Sequence, residues 1–373
     1  MRAAVIRGVG QAFDVTEVEI AQPIDHEVLV DVRASGVCHS DIYVQQTGGM
    51  NFDMPILLGH EIAGVVAAVG PLVTRLKVGD HVVGAALQPC GGCRGCLQGK
   101  LWACRNPGAL GRTDEQPARI HDELGSIGQL QGLGGFAEQA LIHENQLVAI
   151  DKAMPFEQAS IIGCAVVTGG GAIFNVAKVR PGETVAVFGC GGVGLNALQS
   201  ASLAGATRII GIDVQDSKLD LAKHFGASDV INSSDTDVVQ AVRELTGGEG
   251  VDHAFVMVGV TAVADAAVNV LGFDGTVYLV GATAGGAELP LRISPADTVL
   301  LPHQQGVRGS WLGSSNFYHD IPMYVDLYRQ GRYNLDDLVS KTIPLDEINE
   351  ACEAVERGEV ARAVITFPAT DRA

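Results

Sequence analysis

The strand-like run Thr184-Val185-Ala186-Val187-Phe188 leads straight into Gly189-Cys190-Gly191-Gly192-Val193-Gly194 and then into a helix-like stretch over 195–205. Few chain arrangements satisfy that order. In the G-x-G-x-x-G pattern Gly189 permits a tight turn, Gly191 lets the backbone approach a pyrophosphate, and Gly194 lets helix and strand pack closely. Gly192 and Val193 open the helix, whose N-terminus favours an anion. The next strand ends at Asp213, 19 residues past Gly194, where a carboxylate accepts hydrogen bonds from an adenosine ribose. A 2′-phosphate there would be repelled, and Val214, Gln215 and Asp216 bring no cation. The expected cofactor is therefore NAD and not NADP.

Around that loop, strands alternate with helical stretches of ten or more residues, which implies βαβ units and a parallel sheet. Strands are expected near 184–188, 209–213, 230–232, 252–258, 276–280 and 307–311. Six suit a doubly wound sheet. Residues 1–160 have another texture: short alternating runs such as Val28-Leu29-Val30-Asp31-Val32-Arg33 and Ile62-Ala63-Gly64-Val65-Val66, broken by Gly, Pro and Asp. That predicts a β-rich domain. After about 312 the mixed character returns and closes on Ala363-Val364-Ile365-Thr366-Phe367, so the parallel unit is expected to be inserted into the β-rich one.

Cys90, Cys93, Cys96 and Cys104 follow a C-x2-C-x2-C-x7-C pattern in a turn-rich stretch with Gly91, Gly92, Gly95 and Gly99. Four thiolates suit a tetrahedral zinc, and a closed set of four leaves no place for a substrate, so the expected site is structural. Two disulfides are the alternative, disfavoured by the length of the chain and the lack of a secretory-type leader. Of the other cysteines, Cys190 in the glycine loop and Cys352 in a helical pattern over 345–357 read as small buried hydrophobes. A formal charge of −18 over 373 residues disfavours nucleic acid and anionic membrane surfaces as partners, and no apolar run reaches spanning length. A soluble, cytoplasmic protein is expected.

Two further segments carry metal chemistry. Gly36-Val37-Cys38-His39-Ser40-Asp41 offers a thiol, Leu58-Gly59-His60-Glu61 an imidazole and a carboxylate, and Ile161-Ile162-Gly163-Cys164 a second thiol. Each alone is weak. Two thiolates and one imidazole with an open fourth place together make a known catalytic zinc arrangement.

With these segments in this order from Met1 to Phe367, the chain resembles the zinc-dependent medium-chain alcohol dehydrogenases, in their liver-type branch with a long lobe. The resemblance implies a GroES-like catalytic domain over 1–165 and 309–373, with a structural zinc lobe at about 88–135, interrupted by a Rossmann domain over 166–308. It implies two zinc ions per chain: a catalytic one on Cys38, His60 and Cys164, and a structural one on Cys90, Cys93, Cys96 and Cys104. Asp41 would orient His60, and Glu61 would approach the metal from behind. Ser40 would begin a proton relay. Where the family usually has the relay histidine this chain has Tyr43, a poorer base near neutrality, so Tyr43 is expected only to orient the nicotinamide ribose. His39 and Arg362 match positions facing the cofactor pyrophosphate, Lys218 one near the adenosine ribose, and Thr168 one near the nicotinamide. The long loop over 109–134 resembles that of the dimeric branch, so a homodimer is expected.

Four residues before Cys90, Ala86 stands where the family often has a bulky side chain, which leaves room for a larger alcohol; Phe52, Met54 and Leu110 are candidate pocket residues. Primary aliphatic, allylic or benzylic alcohols are the expected substrates. A thiol-dependent formaldehyde dehydrogenase, using glutathione or mycothiol, is the close alternative, and Arg112 and Arg119 are its candidate cations for the anionic cosubstrate. A cofactor-binding protein without catalysis is a reading from another class, opposed by the three metal donors and Ser40. A polyol dehydrogenase would carry a carboxylate where this chain has Cys164.

Overall fold

The computed structural model describes residues 1–49, 52–281, 288 and 303–369. The chain divides into two units, Met1–Cys164 with Asn316–Ala373, and Ala165–Ser315. The second unit therefore interrupts the first.

The interrupting unit is built on six parallel strands in the order Asp229–Asn232, Arg208–Asp213, Thr184–Phe188, Val251–Val256, Leu271–Leu279, Gly306–Gly309. Numbered along the chain this is 3-2-1-4-5-6, the doubly wound Rossmann order. Thr184–Phe188 is buried from Val185 onward because apolar neighbours cover both faces of a parallel sheet. Ala186, Phe188, Ile210, Ile212, Ala254 and Val256 form one core with Val242 and Ala267 from the helices Val238–Leu245 and Thr261–Asn269. Chain order reverses at Thr184–Phe188, where doubly wound sheets open a crevice at their carboxyl ends.

The second seam falls at Ser315/Asn316 and not at 308/309 as the sequence suggested. The physical reason is the turn Leu312–Ser314, which packs on the helix Ala165–Gly171 and accepts a 3.3 Å hydrogen bond at the Gly313 carbonyl from Asn175 Nδ2. Strand ends also differ from the sequence reading. Val251–Val256 stops two residues earlier than expected, while Leu271–Leu279 starts five residues earlier, through the glycines at 272 and 275.

In the other unit the long strand Glu27–Val37 is the hub. It pairs with Glu61–Val69 on one side and Ala363–Thr366 on the other, and its first half also pairs with Gln139–His143. His81–Gly84 and Leu147–Ile150 extend the sheet beyond Glu61–Val69, and Lys341–Ile343 extends it beyond Ala363–Thr366. Thus the last strand of the chain lies beside one of the first. Among the described residues no single helix is long and apolar enough to cross a membrane.

Candidate functional site

Three peptide segments far apart in sequence meet in the first unit. Glu27–Val37 delivers Cys38 at its end, the residue before Glu61–Val69 is His60, and the short turn Ile161–Gly163 ends at Cys164. Donor atoms of Cys38, His60, Glu61 and Cys164 all lie within 4.8 Å of one another, and all four residues are buried. Cys164 Sγ stands 3.3 Å from His60 Nε2.

Asp41 organises this cluster from the first turn of the helix His39–Thr47. Its Oδ2 accepts from Cys38 N at 3.1 Å, capping the helix, while Oδ1 takes Gly59 N and His60 Nδ1, each at 3.0 Å. With Nδ1 engaged, His60 turns Nε2 toward the two sulfurs. Burial alone would lower the His60 pKa, but the Asp41 carboxylate and then Cys38 raise it well above the usual value. The Cys164 thiol donates toward Cys38, which carries the thiolate character of the pair and falls well below the usual thiol range despite its burial.

Zinc bonds of about 2.0–2.3 Å place tetrahedral neighbours about 3.3–3.8 Å apart. The Cys164–His60 separation meets that requirement, and so does the four-cysteine lobe, where Cys93 Sγ and Cys96 Sγ are 3.6 Å apart. The sulfurs of Cys90, Cys93, Cys96 and Cys104 likewise lie within 4.8 Å of one another, held by the short helix Arg94–Leu97 and the turn Leu101–Ala103. Backbone N–H groups of Cys96 and Arg105 pull the Cys93 thiol down to about 6, while Cys90 N donates to Cys104 Sγ at 3.2 Å. Both donor sets fit zinc.

Arg362, expected to face the cofactor pyrophosphate, is buried and paired. Its guanidinium is 3% exposed, and Nη2 lies 2.9 Å from Glu61 Oε1, an ion pair inside the first unit. Burial pushes the Glu61 carboxyl up to about 7, with Arg362 opposing and Cys38 adding to the rise. Ser40 is exposed, its Oγ 3.5 Å from Cys38 Sγ; His39 is exposed beside it and Tyr43 is half-buried one turn on. Of the pocket candidates, Ala86 and Leu110 are buried, and Phe52 and Met54 half-buried.

In the second unit the glycine loop joins Thr184–Phe188 to the helix Gly192–Ala204. Gly189 has φ +97°, and a side chain at Gly194 would strike the Gly189 carbonyl oxygen, so both positions exclude other residues. Space is open around Gly191. Asp213 is nearly buried: Oδ2 accepts from Cys190 N at 2.8 Å, Oδ1 from Val214 N at 2.8 Å and Gln215 N at 3.2 Å. It ties the glycine turn to the next loop. Lys218 is half-buried on the helix Asp216–His224. Thr168 is buried, and its hydroxyl has no hydrogen-bond partner among the described residues. Burial pushes the Cys190 and Cys352 thiols up to about 12, as small buried hydrophobes would be.

Sequence reasoning missed a buried polar anchor of the long loop. Arg112 Nε and Arg119 Nε both donate to Glu27 Oε1, at 2.9 and 2.7 Å, and Arg112 Nη2 reaches Glu27 Oε2 at 2.5 Å. Both guanidiniums are therefore committed inside the fold. A second anchor is Asn145 Nδ2, which donates to the Pro89 carbonyl beside Cys90 at 3.1 Å. Neither had a local signal, because the partners are 56 to 92 residues apart.

Residues 24–152 match the alcohol dehydrogenase GroES-like domain, and residues 192–329 match the zinc-binding dehydrogenase domain. The NDMA-dependent alcohol dehydrogenase of Amycolatopsis methanolica is 36% identical over 372 residues, 99% of each chain. A crystal structure of an alcohol dehydrogenase zinc-binding domain protein from Burkholderia ambifaria is 38% identical, with TM-score 0.92 over 99% of both chains. Benzyl alcohol dehydrogenase from Acinetobacter calcoaceticus is 35% identical, with TM-score 0.91 over 98% of this chain and 99% of that one. The chain belongs to the zinc-dependent medium-chain alcohol dehydrogenase family, oxidoreductases that work with zinc and a pyridine nucleotide.

Proposed function

We propose that this enzyme reversibly oxidises primary alcohols, aliphatic, allylic or benzylic, to aldehydes with NAD, and carries two zinc ions per chain. The observation that carries the reading is the buried convergence of Cys38, His60 and Cys164, with Asp41 fixing the imidazole so that Nε2 faces the sulfurs. Bound there, zinc would supply Lewis acidity toward an alcohol oxygen, and a nicotinamide would supply the hydride acceptor. Cys38, His60 and Cys164 hold the centre; Asp41 is a positioning residue behind it. Ser40 Oγ, exposed beside Cys38, takes the alcohol proton outward. Tyr43 orients the ribose, with water as the final proton acceptor. Tyr43→Phe should therefore lose less than the roughly hundredfold that marks general acid–base catalysis.

Asp213 supports NAD over NADP, since a nearly buried carboxylate already holding three backbone N–H groups resists a second anion. Gly189, Gly191, Gly192, Val193 and Gly194 would cradle the pyrophosphate, with Lys218 and Thr168 near the two ends of the cofactor and His39 facing it. Ala86, small and buried, supports a bulky substrate, and the benzyl alcohol dehydrogenase relative agrees with an aromatic one. The commitment of Arg112 and Arg119 to Glu27 weighs against the thiol-dependent formaldehyde dehydrogenase alternative.

A panel of alcohols assayed with NAD and NADP tests the reading: benzyl alcohol with NAD should give the highest kcat/KM. Faster turnover with NADP overturns the role given to Asp213, and formaldehyde oxidation that requires glutathione or mycothiol overturns the substrate class. The reading includes a cytoplasmic homodimer, which cell fractionation and light scattering would check.

A further inference from the structure

Gly36 sits two residues before Cys38, inside the strand Glu27–Val37, and is paired in register with Glu61 on the neighbouring strand. A glycine in a strand interior costs stability and often marks a close approach. Here its backbone is ordinary, with no positive φ, so alanine would be tolerated by the main chain. The side chain opposite would have to move. A Cβ on Gly36 would overlap Glu61 Oε2 and stand 3.1 Å from Glu61 Cβ and 3.2 Å from its Cδ, and its three nearest atoms all belong to Glu61.

The Glu61 carboxylate is fully buried, and neither oxygen has a hydrogen-bond partner among the described residues. What holds it is charge, through Arg362 Nη2 at 2.9 Å. One of its oxygens nevertheless lies within 4.8 Å of the donor atoms of Cys38, His60 and Cys164. A buried carboxylate with unspent lone pairs has two destinations within reach: the space over Gly36 beside Arg362, or the metal centre itself.

We propose that Gly36 is a positioning residue for the reaction: the space left by its missing side chain parks the Glu61 carboxylate against Arg362 and so keeps the fourth place of the Cys38–His60–Cys164 centre open for the alcohol. This rests on the proposed role of that centre. Arg362 supplies the attraction and Gly36 the room, and removing the room pushes the carboxylate toward the metal donors.

The test compares Gly36→Ala, Glu61→Ala and the double variant as holoenzymes, with the centre exchanged to Co2+ for absorption and with alcohol kinetics alongside. In Gly36→Ala the d–d bands should weaken by about twofold or more as coordination rises, and kcat/KM should fall by about tenfold or more. The double variant should return to the spectrum and kinetics of Glu61→Ala, because the added methyl then meets no carboxylate. Wild-type bands and kinetics in Gly36→Ala overturn the proposal, as does a double variant no better than Gly36→Ala. If Gly36→Ala does not fold but the double variant does, the conflict with Glu61 is upheld; if neither folds while Glu61→Ala does, Gly36 serves only the strand and the proposal fails. Should Glu61→Ala itself not fold, the Gly36→Ala spectrum decides alone. Cys38→Ser separates this from the underlying reading: if that variant keeps two metal ions, the assignment of the centre is wrong, whereas loss of one ion with an unaltered Gly36→Ala spectrum sinks only the role of Gly36.

Discussion

The two cysteine clusters of the first unit solve the same coordination problem in opposite ways. The lobe gathers Cys90, Cys93, Cys96 and Cys104 from one short turn-rich stretch and leaves each half-exposed. The other centre draws Cys38, His60 and Cys164 from three separate segments and buries them all. Local spacing can build the first almost unaided, whereas the second exists only once the sheet around Glu27–Val37 has formed. A closed local set belongs with stability, and an open set held by tertiary structure belongs with chemistry.

The largest expected effect tests the chemical half. Cys38→Ser should remove one of two zinc ions and lower kcat/KM by on the order of 10⁴-fold, about 5 kcal/mol of transition-state stabilisation, with little change in the melting temperature. Metal analysis with steady-state kinetics checks both parts. Next, Cys96→Ser should also remove one zinc but act the other way round, destabilising the fold by about 3–5 kcal/mol. Activity per folded molecule at low temperature should hardly change. Equal loss of activity in both variants would erase the contrast between the centres.

Smaller effects sharpen it. Asp41→Asn leaves every metal donor in place but weakens the support of His60, so metal affinity or kcat should fall about 10–100-fold, measured by chelator titration. No comparable outer carboxylate serves the lobe cysteines among the hydrogen bonds described. The smallest effect lies near the lobe anchor. Burial, with the charges of His26 and Arg119, pushes His143 down to about 4, and its Nδ1 accepts from Asn145 N at 3.0 Å. Unfolded histidine protonates near 6.5, so the unfolded state binds the extra proton first and stability falls as pH drops from about 6.5 toward 4. Discounted for partial exposure, the loss is about 1 kcal/mol. Urea unfolding of His143→Asn across that range should show a flatter pH dependence than the parent.

How much of this was legible in sequence follows the same division. The Rossmann strands could be placed within a few residues because strand and helix periodicities are local, and the lobe could be recognised because its ligands share one segment. Cys38, His60 and Cys164 became a set only through resemblance to a family, since nothing near any one of them names the other two. Arg362 received its cofactor role from the same resemblance, while its ion pair with Glu61 had no local signal because the two residues lie far apart in sequence. The Glu27–Arg112–Arg119 anchor escaped notice for the same reason. The seam at Ser315 was misplaced because the strand pattern ends at Gly309, while the turn that holds the next six residues to the second unit announces itself only through packing.

Placing Ala363–Thr366 against Glu27–Val37 bears on biosynthesis. On the ribosome all three candidate catalytic donors have been made by Cys164, but Arg362 and the strand that closes the hub follow only after the whole second unit has been made. Until then the nascent chain holds an open sheet edge, and Glu61 lacks its counter-charge, a situation that exposes long-range β pairings to error. Maturation of this centre thus waits on synthesis of Arg362 and its strand rather than on availability of its ligands.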